Sequence, residues 1–155
     1  MKWCGNWNAG VVIALAIGVV WALVEAGAFG AEADGRIVVG TEGTGAPVVF
    51  VPGLMSSPDV YDAAIAGLTE AGSGGVTIHK AGLAGMGGTP PVADPAPYVA
   101  PAVDALIAYL EQAAPGGEAK LVGHSMGGVI ALLAASKRPD LVDSVLVIDA
   151  VPFLP

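Results

Sequence analysis

Leu121-Val122-Gly123-His124-Ser125-Met126-Gly127-Gly128 is the stretch on which the reading of this chain turns. An apolar strand, Ala119 to Val122, runs into a G-x-S-x-G pattern. An apolar helix, Met126 to Lys137, leaves it and is closed by Arg138-Pro139. A bend this tight puts its serine in a strained backbone conformation, and the glycines two before and two after leave space for neighbouring backbone. The hydroxyl is then held above the carboxyl edge of a sheet, at the amino end of a helix. Backbone N–H groups and the positive end of the helix dipole face the place where an oxyanion would form. The pattern alone means little in a chain with 23 glycines. The strand before it, the helix after it and Gly128 are what give it weight.

Working outward, strands and helices alternate. Arg36-Ile37-Val38-Val39 is a short β-branched run, followed by a turn at Gly43-Thr44-Gly45. Pro47 to Val51 is a continuously apolar strand stopped by Pro52-Gly53, as suits a sheet covered on both faces. Ser57-Pro58 reads as a helix start, serine as cap and proline in the first helical position. Val60, Tyr61, Ala64, Ile65 and Leu68 follow at helical spacing. Val76 to His79 reads as a third strand, with His79 at its end, and Gly82 to Pro97 as a long Gly/Pro-rich connector. Val99, Val103, Leu106, Ile107 and Leu110 form the stripe of an amphipathic helix. Val142 to Ile148 is a fifth strand. This alternation predicts an α/β fold with a parallel sheet. Lys80 and Lys120 read as solvated strand-edge residues.

The 155 residues are 54% hydrophobic and 13% charged, enough apolar mass for a core and too much for a disordered chain. A formal charge of −8 excludes nucleic acid as the expected partner, since that affinity comes from Lys and Arg displacing phosphate counterions. The single cysteine, Cys4, allows no disulfide framework. Lys2, the apolar run Val11 to Val24 and Ala31-Glu32-Ala33 read as a secretory signal over residues 1–33, cleaved before Asp34. The expected location is periplasmic or secreted. The alternative is a membrane anchor over residues 9–24, although the run is shorter than the roughly 20 residues a spanning helix needs.

A second element of chemistry follows the second strand. Val51-Pro52-Gly53-Leu54-Met55 stands where a loop leaving an upstream strand supplies one oxyanion N–H, the other coming from the residue after the nucleophile. Leu54 and Met126 are the candidates, through their backbone N–H groups. With both pieces in hand, residues 36–155 resemble the α/β-hydrolase superfamily. Phe50 to Met55 matches the oxyanion loop and Leu121 to Gly128 the nucleophile elbow. Arg138-Pro139-Asp140-Leu141-Val142 and Val147 to Pro152 match the segments around the following strand, and Gly82 to Thr89 lies where that family often has a glycine-rich turn. The resemblance implies a parallel-sheet α/β-hydrolase core, truncated after the strand that follows the elbow helix. Residues 34–155 would be the amino-terminal part of the domain. It also implies a serine hydrolase acting on acyl esters or related carbonyl substrates, with Ser125 as nucleophile and an acyl-enzyme intermediate. A serine rather than an aspartate at position 125 argues against the haloalkane dehalogenase and epoxide hydrolase branches.

The resemblance leaves the base and the usual acid outside the sequence, which stops one strand past the elbow. Serine is a poor nucleophile without a base to take its proton. Of the two histidines, His124 adjoins the nucleophile and is expected to point away from it, and His79, placed by its strand end on the carboxyl edge of the sheet, reads as structural or loop-orienting, with a substitute base as the alternative. Asp149 leaves the fifth strand at the carboxyl edge and stands as a candidate acid, against the plainer reading of a turn-forming aspartate before Pro152. No cofactor and no metal are expected, since neither H-x-x-x-H, clustered carboxylates, a Walker motif nor G-x-G-x-x-G after a strand is present. The alternative function is a non-catalytic binding module whose exposed sheet edge, after the fifth strand, pairs with another chain.

Overall fold

Five buried residues in a row, Pro47 to Val51, make Ala46–Val51 a strand covered on both faces, and it lies inside the sheet as its unbroken apolar run predicts. The structure, a computed structural model, describes residues 30–31, 35–72 and 75–150. The expected leader lies outside the described residues except for Gly30 and Ala31. The sheet has six strands: β1 (Gly30–Ala31), β2 (Ile37–Gly43), β3 (Ala46–Val51), β4 (Val76–Leu83), β5 (Ala119–His124) and β6 (Val142–Ile148). Their spatial order is β1-β2-β4-β3-β5-β6. Among the described residues, three α-helices accompany the sheet: α1 (Asp62–Glu70), α2 (Val99–Ala113) and α3 (Met126–Lys137).

β3 pairs in parallel with β4 and β5, and β5 in parallel with β6, as the alternation predicts. β2 departs from it by lying antiparallel to β4, with Ile37 opposite Leu83 and Gly43 opposite Thr77. The cause is the two-residue link between β2 and β3, far shorter than the dozen or more residues a parallel crossover needs. β4 also runs four residues beyond the expected end at His79, because Lys80 to Leu83 continue the ladder with β2. His79 is therefore mid-strand, opposite Thr41 and Val49, not at the carboxyl edge.

Side chains alternate across the sheet, so each strand feeds two cores. On one face Val49, Val51 and Leu121 meet Leu106 and Leu110 of α2 and Ile130 of α3. On the other, Val48, Phe50 and Ile78 meet Tyr61 and Ile65. The Ser57-Pro58 helix start is present as read: the Ser57 side chain accepts from the Asp59 N–H at 3.2 Å and Pro58 opens a 3-10 turn over Pro58–Tyr61 that continues into α1. Lys80 is not a free strand-edge cation. Its Nζ holds Asp59 at 3.1 Å and Asp62 at 2.6 Å, tying that turn to β4. Lys120 pairs with Asp143 across β5 and β6. Among the described residues, no helix is long and apolar enough to cross a membrane.

Candidate active site

β5 ends at His124 and α3 begins at Met126, so Ser125 alone makes the connection. Its backbone lies at φ 50°, ψ −121°, a conformation that costs a non-glycine residue about 1–3 kcal/mol. The surroundings hold it there. The Ser125 N–H donates to the Ile148 carbonyl of β6 at 2.9 Å, and the Ser125 carbonyl accepts from Gly128 and Val129 at 3.0 and 3.2 Å. A methyl on Gly123 would stand 2.5 Å from the Gly127 carbonyl oxygen, so the entering strand and the leaving helix touch backbone to backbone. The serine side chain makes no capping bond to α3, which leaves its hydroxyl uncommitted to the helix.

Three parallel strand ends lie side by side here, and each brings one piece of the site. β3 delivers Leu54, β5 delivers Ser125 and Met126, and β6 delivers Asp149. All four residues named from the sequence line one cleft of about 430 Å³, together with Val99 and Val129. The cleft opens at the carboxyl ends of the parallel strands, where open α/β sheets bind their ligands. Among the described residues, no protein group takes the Leu54 or the Met126 N–H. Asp149 sits at φ 49°, a left-handed conformation that aspartate tolerates better than most residues.

The two histidines are used differently. The ring of His124 lies against Gly53, where a methyl would stand 2.9 Å from Nδ1. His79 is 6% exposed, with Nδ1 2.5 Å from the Tyr109 hydroxyl and Nε2 buried without a partner. Burial pushes its pKa below the ordinary histidine value, because the charged ring would have to leave water. It faces α2 in the core and takes no part in the cleft.

Two supports of the site were not singled out from the sequence. Tyr61, expected only as part of an apolar helix face, donates its hydroxyl to the Val51 carbonyl, the last of β3, at 2.8 Å. Its ring packs on Phe50 with centroids 5.0 Å apart. Burial pushes the phenol up to about 12, while the backbone N–H of His124 pulls the other way. The tyrosine thus ties the turn before α1 to the end of β3. The second support is the glycine-rich segment around Met86, read as a flexible connector, which packs on the loop carrying Leu54. A tyrosine at helical spacing and a methionine between glycines carry no local mark of either contact.

Residues 46–155 match the family model of the alpha/beta hydrolase fold. The chain belongs to that family. It is 32% identical over 122 residues to a protein of Mycobacterium phage D29 named "Putative non-heme haloperoxidase", a match covering 76% of this chain and 41% of that one. Among solved structures, it resembles one from a study of carboxylesterases of the thaumarchaeon Nitrososphaera gargenis, with a TM-score of 0.67 and 23% identity over 81% of this chain and 46% of that one. It also resembles an epoxide hydrolase of Vigna radiata, with a TM-score of 0.65 and 22% identity over 77% and 37%. At these identities the structural likeness speaks for the fold alone. The alpha/beta hydrolase chain described here spans less than half the length of these relatives.

Proposed function

We propose that this chain carries the nucleophile and oxyanion half of an exported serine hydrolase acting on acyl esters or related carbonyl compounds. The supporting observation is Ser125 itself, held at φ 50° on a one-residue bend, its hydroxyl not spent on capping and opening into a cleft shared with Leu54. The Ser125 oxygen attacks the acyl carbonyl. The tetrahedral oxyanion is held by the N–H groups of Leu54 and Met126, the latter at the positive end of α3. Collapse expels the alcohol and leaves an acyl-serine, which water then hydrolyses. Asp149 stands in the cleft as the candidate acid. The proton of Ser125 has to pass to a base, and His79, enclosed against Tyr109, is not it. The reading therefore assigns the base to a histidine elsewhere in the complete enzyme. The relatives' names, which include esterases and epoxide hydrolases, do not favour a non-catalytic interaction module.

A fluorophosphonate tests this on the chain as it stands, with added imidazole standing in for the missing base. The expected result is a slow adduct at Ser125, located by mass spectrometry, accelerated by imidazole and absent from Ser125→Ala. No adduct at Ser125 at any imidazole concentration would overturn the reading.

A further inference from the structure

Seven residues line the cleft at Ser125, and five of them, Leu54, Val99, Met126, Val129 and Ala150, are apolar. The other two are Ser125 and Asp149, so no lysine, arginine or histidine among the described residues lines it. A charged group carried at the end of an acyl chain would lose its water there and meet no cation, and a carboxyl side chain such as that of Asp149 gives an anion no compensation. An alkyl chain gains instead, by about fourfold in affinity for each methylene withdrawn from water. The cleft volume of about 430 Å³ lies toward the small end of ligand pockets, which run to roughly 300–1,000 Å³.

Two walls of the cleft come from helices. Val129 stands one turn on from Ser125 along the same face of α3, and its N–H donates to the Ser125 carbonyl at 3.2 Å. Val99 is the first residue of α2 and stands one turn before Val103, which is 1% exposed. The apolar stripe of α2 therefore leaves the core after Val103 and continues into the cleft at Val99, which is half-buried and packs on the core from its margin. The residue before it fixes its place. The Tyr98 hydroxyl donates to the Ala84 carbonyl at 2.8 Å, just past the end of β4, and the Ala84 N–H donates to the Arg36 carbonyl at 3.0 Å. The Arg36 guanidinium donates to the Asp94 and Pro95 carbonyls at 2.8 and 3.4 Å. The end of the long connector is thus tied to the start of β2 and the end of β4, and Val99 is a held wall rather than a loose one.

We propose that this cleft is the acyl side of the site, that it takes a short, uncharged alkyl acyl group, and that Val99 sets the size and polarity it accepts. The proposal rests on the reading of Ser125 as an acyl-accepting nucleophile. Ethyl alkylphosphonofluoridates carrying methyl, butyl or a butyl chain ended by a carboxylate on phosphorus are compared by their rates of adduct formation at Ser125, with imidazole present. The expected butyl-to-methyl ratio is about tenfold, and the carboxylate-ended probe falls back to the methyl rate or below. Val99→Phe, which fills the wall, lowers the butyl-to-methyl ratio about fivefold. Val99→Thr, which keeps the shape and adds a hydroxyl, lowers it about threefold. A wild-type ratio near one, a carboxylate-ended probe as fast as butyl, or one ratio shared by wild type and both variants overturns the proposal. If Val99→Phe does not fold, Val99→Thr decides. Failure of wild type to label with every probe strikes the acyl-transfer reading instead, and binding alone then judges the pocket. The methyl signals of Val99 and Val129, followed by NMR during titration with methyl butyrate, shift saturably where the pocket takes an alkyl chain; signals that stay in place end the proposal.

Discussion

The α-carbon of Gly127 faces the carbonyl oxygen of Val51 so closely that a methyl group there would stand 2.1 Å from it, and 2.4 Å from the carbonyl oxygen of Pro52. The first turn of α3 is therefore seated directly on the backbone that leads into the oxyanion loop. Backbone oxygens held in a sheet cannot swing aside as the tip of a side chain can. Gly127→Ala is expected to lower stability by about 1–3 kcal/mol despite alanine's better helix propensity. Gly67, inside α1, provides the contrast, since a methyl there meets nothing within 4 Å. Gly67→Ala is expected to stabilise by about 0.5–1 kcal/mol. Urea unfolding of both variants against wild type checks the pair, and equal effects at the two glycines would refute the close approach.

His79 gives the fold an acid-sensitive element. Its pKa in the folded chain is below the ordinary 6.5, because burial penalises the imidazolium. The unfolded chain therefore binds the proton first as pH falls. Stability does not depend on this group above about 6.5 and declines below it, by at most about 1.4 kcal/mol per pH unit. Asp59, Asp140 and Asp143 are held low by Lys80, Arg138 and Lys120 respectively, so their contributions fade only around and below 3.8. Urea midpoints measured between pH 7 and pH 5 should fall in wild type and stay level in His79→Leu. A flat wild-type profile over that range would show that the ring is not protected from its proton.

Among the described residues, β6 pairs with β5 on one side only, and Leu146 and Ile148 on it are 58% and 42% exposed. Unpaired apolar edges recruit other strands. Leu146→Lys should reduce concentration-dependent light scattering while moving stability by no more than about 0.5 kcal/mol, as expected for a surface position. Scattering that rises with concentration as steeply as in wild type would show that association proceeds through another surface.

Much of this protein is written locally. The elbow from Leu121 to Gly128, the Ser57-Pro58 helix start, the bounds of α3 at Met126 and Lys137 and of β6 at Val142 and Ile148 all stand where the residues put them. Each depends on φ restriction, side-chain capping or hydrophobic period within a few neighbours. Leu54, Met126 and Asp149 were legible beside Ser125 for the same reason, since each follows or terminates a recognisable strand. Tertiary structure alone decided the rest: the place of β4 between β2 and β3, the burial of His79 against Tyr109, and the contacts of Tyr61 with Val51 and of Met86 with Met55. The three side-chain contacts join residues from 10 to 31 positions apart. Their partners are chosen by which strands lie side by side and which faces of them are covered, and no short-range preference of a histidine, a tyrosine or a methionine encodes that choice.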